Sequence, residues 1–295
     1  MPIDATYLLQ LALNGLMLGL IYALVAAGLA LIFGVMEIVN FAHGEFLMVG
    51  AYAMAFAAPL FGGAYLPALA TAVAASALLG VLLFDGLLAR LPEKDFERSI
   101  LVTTGLSMIL LYGCQYLFTS TPKMVSTEFG FAGVQVGSIR FTWTRIVACL
   151  IAVAAFAGLW LTLHHTRFGR AMRAIAINRE AASMVGVRTR SIARGAIVLA
   201  TVLAGLAGAA LAPVHLVQPI MGQFLLFKAF ALVVIGGFGS IAGAVVAGLM
   251  LGIIESWIGG FFSAIWQETA GFVIMIAVLL LRPQGLFGQR SMRVG

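Results

Sequence analysis

Residues Ala5–Met36 run for 32 positions without a lysine, arginine, aspartate or glutamate. Residues 46–84, 99–122 and 195–227 are uncharged in the same way. A helix that crosses a bilayer needs about 20 consecutive apolar residues, so each run is long enough to span. The alternating pattern of a membrane β-barrel is absent, which leaves helices as the way to satisfy every backbone group in lipid. Composition agrees, with 62% hydrophobic and 9% charged residues, where a soluble domain carries roughly a quarter charged. The chain therefore reads as all-α, a polytopic transmembrane helical bundle forming one domain over 1–295. No cleavable signal peptide is expected, because the N-terminus lacks a basic segment and its first apolar run is too long.

The arginines give a topology. Residues 164–194 hold seven arginines, at 167, 170, 173, 179, 188, 190 and 194, with Glu180 as the only acid. Basic loops stay on the cytoplasmic side, so this block, the loop at 90–98 and the tail with Arg282, Arg290 and Arg293 read as inside. The N-terminus, with no base before Thr6, reads as outside. The net charge of +6 is thereby explained by membrane topology rather than by nucleic acid. Spans are expected near 7–34, 38–58, 66–89, 99–120, 143–163, 191–213, 224–237, 241–258 and 266–282, about 8–9 membrane segments. Parity requires an even number of crossings between the arginine block and the tail. The glycine-rich "VIGGFGSIAG", with Gly236, Gly237, Gly239 and Gly243, supplies the needed break between two short or re-entrant helices. Residues 121–142 form the one substantial external loop, and "VQVGSIRF" within it alternates as a small hairpin does.

Polar residues inside apolar surroundings are the candidate pathway. "NFAHGEF" places Asn40, His43 and Glu45 at the start of the second span. Residues 46–58 are too few to cross alone, so a helix beginning near Ile38 is expected to carry all three. Asn40 and His43 then share a face at i,i+3, and Glu45 lies on another side. Buried ionisable groups in a span face the bundle interior or a water-filled route; the competing reading is a wet helix cap at the cytoplasmic boundary. In the first span, Asn14 and Tyr22 are the polar members, while Gly15 and Gly19 form a GxxxG pair suited to close helix packing. Glu255 and Glu268 are expected at the interfacial ends of the last spans. Cys114 and Cys149 read as buried small hydrophobes rather than a disulfide.

Between the fifth and sixth spans, "AINREAASMVGV" at 176–187 has helical character and breaks at Gly186. Ile177, Ala181, Met184 and Val185 form an apolar stripe, with Arg179, Glu180 and Ser183 polar. Such a helix in a cytoplasmic segment, 164–190, suits a groove on a soluble partner; a solvated basic loop is the alternative. No catalytic signature accompanies these features. HExxH, a GxSxG elbow and metal-ligand spacing among the four histidines are all missing, and so is GxxxxGK[ST]. The chain reads as a non-enzyme with no metal and no cofactor of its own, and ATP, if used, is bound elsewhere.

Three separated blocks resemble one family. "LNGLMLGLIYALVAAGLALIFGVMEIVNFAHGEFLMVGAY" at 13–52, "FKAFALVVIGGFGSIAGAVVAGLMLGIIES" at 227–256 and "LLLRPQGLFG" at 279–288 resemble the LivH-type permeases of branched-chain amino acid ABC importers, in order and nearly end to end. The resemblance implies a bacterial inner-membrane permease working by alternating access. It implies as partners a second homologous permease, two cytoplasmic ATPase subunits that bind the ATP, and a periplasmic amino-acid-binding protein. It also assigns the 170s–180s to ATPase coupling. Related permeases serve urea, amides or other amino acids, so those substrates stand beside leucine, isoleucine and valine. A self-contained channel is the remote alternative.

Overall fold

The computed structural model describes residues 5–90, 96–130, 132–282 and 284–287. The expected basic positions Arg290 and Arg293, and most of the 90–98 loop, lie outside these. The elements are α1 (Ala5–Met36), α2 (His43–Leu60), α3 (Tyr65–Gly86) with a 3-10 turn at Leu88–Arg90, and α4 (Phe96–Phe118). A hairpin of β1 (Gly133–Val136) and β2 (Ile139–Thr142) follows, then α5 (Trp143–His165), α6 (Arg167–Ile177), α7 (Arg179–Met184) and α8 (Thr189–Leu211). The chain closes with α9 (Met221–Gly236), α10 (Ile241–Phe261) and α11 (Ala264–Leu281). Among the described residues, seven helices are long and apolar enough to cross a membrane: α1, α3 with its 3-10 turn, α4, α5, α8, α10 and α11. The 16-residue α9 is a shorter apolar helix, which brings the membrane segments among the described residues to eight, in the expected range.

α1 is the axis of the bundle. Residues Ile21 to Ile32 are buried on every side, the signature of a helix surrounded by others rather than lying on a surface. α10 runs antiparallel against it, and there the glycines decide the geometry. A Cβ on Gly15 would stand 2.5 Å from the Gly252 carbonyl, and one on Gly19 2.7 Å from that of Gly248. The GxxxG of α1 thus meshes with a second GxxxG on α10, and the backbones touch where side chains would hold them apart. α8 packs on the other flank, antiparallel to α3 and parallel to α2.

The remaining helices turn apolar faces outward. Leu82, Leu101, Ile109, Leu150 and Leu280 are 60–80% exposed, a pattern that costs nothing when the surrounding solvent is lipid. The hairpin closes around Gly137, whose φ of 63° is in the left-handed region, in register from Gly133↔Thr142 to Val136↔Ile139. Gln10 on α1 exchanges two hydrogen bonds with the Arg140 backbone and pins the hairpin to that end of the bundle.

The glycine-rich break falls where expected. α9 ends at Gly236, and Gly237 and Gly239 have φ of 100° and 77°. The Ser240 hydroxyl then accepts from the Gly243 amide, 3.0 Å away, to cap α10. A Cβ on either Gly236 or Gly243 would collide with the other's backbone, so the two helices meet as a tight corner.

Two expectations about local structure need correction. The second span does not begin near Ile38: residues 37–42 are non-helical, and α2 starts at His43. Glu37, at φ 54°, turns the chain out of α1, and the Asn40 side chain accepts from the Ala42 amide at 3.0 Å, offering the backbone a turn in place of a helix. The segment 176–187 is likewise not one helix. Asn178, extended at φ −156°, ends α6 and caps α7 by accepting from the Ala181 amide at 2.9 Å. The break at Gly186 is present, with φ 86°.

Candidate transport pathway

α1 serves as a ruler for depth. At one end, Asn14 accepts from the Arg145 guanidinium at 3.0 Å. At the other end of the bundle, Arg194 on α8 pairs with Asp85 on α3 at 2.5 Å. The His43 ring meets α1 between these marks: Nε2 lies 3.0 Å from the Val25 carbonyl, and the ring packs beside Gly28. Val25 is about 16 Å from the Asn14 level at 1.5 Å per residue. Gly28 abuts Ala200, which places the Arg194 level about 13 Å from Val25 in the other direction. The two distances together match a hydrocarbon core of about 30 Å. His43 is therefore near mid-depth, and the chain after Met36 doubles back into the bundle before α2 begins.

All three polar residues of the heptapeptide are 0% exposed. The Val25 carbonyl can only accept, so the Nε2 of His43 donates and Nδ1 is left as a buried acceptor with no hydrogen bond among the described residues. Asn40 uses its oxygen in the turn described above and leaves Nδ2 without an acceptor. Glu45 accepts from the Ser107 hydroxyl of α4 at 3.1 Å, while its second oxygen has no hydrogen bond. Thr103, one turn earlier on α4, accepts from the Phe41 amide at 3.2 Å. The expected shared face of Asn40 and His43 does not form, since Asn40 precedes the helix. Glu45 points to another side, toward α4 and α9. Gly44 and Gly222 permit that approach, because a Cβ on either would strike the other's backbone.

A second polar group lies nearer the Asn14 end of α1 and was not anticipated. Lys228 on α9 donates to Glu255 on α10 at 2.8 Å and to the Tyr22 hydroxyl on α1 at 3.0 Å. Its ammonium also lies over the Tyr22 ring, 4.7 Å from the centroid. Glu255 is 0% exposed, inside the bundle, at a level set by Gly252 against Gly15 and Ser256 against Leu11; Glu268 is exposed. The sequence signal was present: Lys228 interrupts an uncharged stretch that otherwise continues from 195 to 254, and a charge in such a position is a functional-site hypothesis by default. Tyr22 thus belongs to this ion pair and not to the His43 group. Asn14 lies apart from both, in a cavity of about 360 Å³ with Arg145, His215, Ser256 and Gln267 among its walls.

α6 and α7 lie next to the last turn of α1. A cavity of about 310 Å³ is lined by Val35, Met36, Glu37, Ile175, Asn178 and Glu180 among others. Ala182 is buried against the bundle, while Ile177, Met184 and Val185 are 80–87% exposed and turn away from it. Ala181 and Gly186 are exposed with them.

Comparison with known proteins agrees with this architecture. Residues 11–281 match the family model described as branched-chain amino acid transport system / permease component. The high-affinity branched-chain amino acid transport system permease protein LivH of Escherichia coli strain K12 is 30% identical, over 96% of each chain. The corresponding protein BraD of Pseudomonas aeruginosa is 30% identical, over 98% of each chain. A probable LivH of Methanocaldococcus jannaschii is 26% identical, over 90% of this chain and 88% of its own. The chain belongs to the family of branched-chain amino acid transport system permease components.

Proposed function

We propose that this chain is the membrane-spanning half of an ATP-driven importer and moves branched-chain amino acids inward by alternating access. The observation that carries the reading is the match over nearly the whole chain to permeases of that named substrate class. The fold supports a route through the bundle, since uncompensated polar atoms of Asn40, His43 and Glu45 stand at mid-depth, where they are costly unless something uses them.

The proposed orientation has the N-terminus outside and the C-terminus in the cytoplasm, in a bacterial inner membrane. The arginine-rich end with α6 and α7 then faces the cytoplasm and the hairpin faces outward. A second homologous permease completes the route, two cytoplasmic ATPase subunits bind ATP, and a periplasmic amino-acid-binding protein delivers cargo on the hairpin side. This chain carries no ATPase motif and acts as a non-enzymatic transport subunit. Ile177, Met184 and Val185 form the surface offered to an ATPase groove, with Arg179, Glu180, Ala181 and Gly186 shaping the same element. Its neighbours Met36 and Glu37 lead directly into the turn at 37–42, so a push on α7 reaches the start of α2 through a few residues.

The test is co-purification. Met184→Glu combined with Ile177→Glu is to abolish ATPase-subunit association while the permease still inserts. Retained association would count against the coupling assignment.

A further inference from the structure

The cavity beside Asn14 runs deep. Its α1 wall extends from Leu11 to Ile21, about 15 Å along the axis at 1.5 Å per residue. Asn14, Leu18 and Ile21 follow one another at spacings of four and three, so they share one face of the helix. The same face continues through Val25 to Gly28, where a Cβ would meet the His43 ring at 3.0 Å. The cavity therefore begins at the end of the bundle that carries the hairpin and lies in line with His43. It stops about 6 Å short of the Val25 level.

Its chemistry is divided by depth. Leu18 and Ile21 are the deep residues of the α1 wall, and Leu211 of α8 adds to the apolar lining. Arg145 of α5 stands at the Asn14 level, and Gln267 of α11 faces Gly259, beyond the Ser256 contact with Leu11. Arg145 carries the only permanent charge in the wall, since no aspartate or glutamate lines the cavity. One of its N–H groups donates to Asn14, and among the described residues no carboxylate pairs with it. A guanidinium has five donors in a rigid fork, so most of the fork is left for a ligand, and that fork matches a carboxylate at two points. The volume of about 360 Å³ falls within the range of ligand sites, which start near 300 Å³. An apolar depth with a guanidinium at its mouth complements a molecule with an aliphatic tail and a carboxylate head. It is a poor match for a cation.

We propose that this cavity is the entry subsite of the permease, where the cargo amino acid docks its α-carboxylate on the Arg145 guanidinium and lays its aliphatic side chain on Leu18, Ile21 and Leu211. From there the α1 face leads it to His43. The inference rests on the reading that amino acids are the cargo. It adds that the permease itself takes the cargo, and takes it by the carboxylate. Asn14 is a positioning residue, because its oxygen holds one edge of the guanidinium and leaves the rest of the fork toward the cavity.

The experiment reconstitutes the whole importer in proteoliposomes and measures uptake of radiolabelled L-leucine. Import by the wild-type complex tests the cargo reading by itself; if leucine is not imported, that reading fails before the cavity is at issue. Given import, Arg145→Gln is to lower uptake by about tenfold or more, the scale of losing a hydrogen bond to a charged group. Arg145→Lys keeps the charge without the fork and is to fall between that variant and wild type. Asn14→Ala cuts the same tie between α1 and α5 but keeps the guanidinium, and is to lower uptake less than Arg145→Gln. A second measurement follows labelled L-leucine bound to the wild-type membrane complex without the binding protein. 4-Methylpentanoate, which keeps the tail and the carboxylate, is to displace the label, and L-leucinamide, which lacks the carboxylate, is not. Because it uses the wild type, this measurement decides even where Arg145→Gln fails to assemble. Unchanged uptake in Arg145→Gln overturns the proposal, and so does displacement by L-leucinamide as effective as by leucine. Equal losses in Arg145→Gln and Asn14→Ala overturn it in favour of a purely structural tie. No saturable binding to a complex that imports leucine overturns it as well, and leaves the guanidinium to the phosphate of a lipid.

Discussion

Consider replacing Lys228 with methionine. Glu255 is 0% exposed and Lys228 retains 14% of its side-chain surface, so the pair is shielded from water on both sides. Its geometry is good, with a 2.8 Å contact and the Tyr22 hydroxyl as a second acceptor for the ammonium. Removing the cation strands a buried carboxylate, and breaking one partner of a buried pair costs about 3–5 kcal/mol. Glu255→Gln keeps an oxygen for Lys228 to bond and is expected to cost about 1–3 kcal/mol. Replacing both, as Lys228→Met with Glu255→Leu, removes the charges together and is expected within about 1 kcal/mol of wild type, because a buried pair and an apolar substitute are often nearly equivalent. The assay is reversible unfolding of the purified permease in mixed micelles, read as a double-mutant cycle. A cost below about 1 kcal/mol for Lys228→Met alone would refute the reasoning, because a truly buried partner cannot lose its counter-charge so cheaply.

Other expectations follow from the same packing. Gly44→Ala drives a Cβ into the Gly222 backbone and is expected to destabilise the fold by about 1–3 kcal/mol, seen as a lower melting temperature in detergent. Gly239→Ala, at φ 77°, is expected to cost about 1–2 kcal/mol for a side chain held in the left-handed region, measured in the same way. His43→Leu removes the bond to Val25 and is to leave assembly intact while reducing leucine uptake; normal uptake kinetics in a well-expressed mutant would remove His43 from the pathway.

The spans were readable because the hydrophobic runs are long and the arginines sit in the loops between them. Predicted boundaries for α1, α5 and α10 fall within a few residues of the observed helices. The break at 234–243 was readable because glycine is the residue that adopts positive φ cheaply. The start of α2 was not, since the span arithmetic assumed that a segment crossing the membrane must be helical throughout. Asn40 and the turn at Glu37 let the chain run back into the bundle unwound, which is tolerated where protein, not lipid, surrounds the backbone. The partners of Tyr22 were hidden for a different reason. Lys228 and Glu255 are 27 positions apart in sequence, and only the corner at Gly236 and Gly243 folds their helices together beside α1. Glu45 and Ser107 are 62 apart, on helices with little else to hold them, and no local pattern joins them.

Under the proposed function, this chain conducts amino acids only as part of an ATP-driven assembly. The most direct measurement compares leucine accumulation in proteoliposomes holding the full importer, with ATP and the binding protein, against liposomes holding this chain alone. ATP-dependent accumulation is expected in the first and no flux in the second. Leucine flux through the chain alone, without ATP, would contradict it.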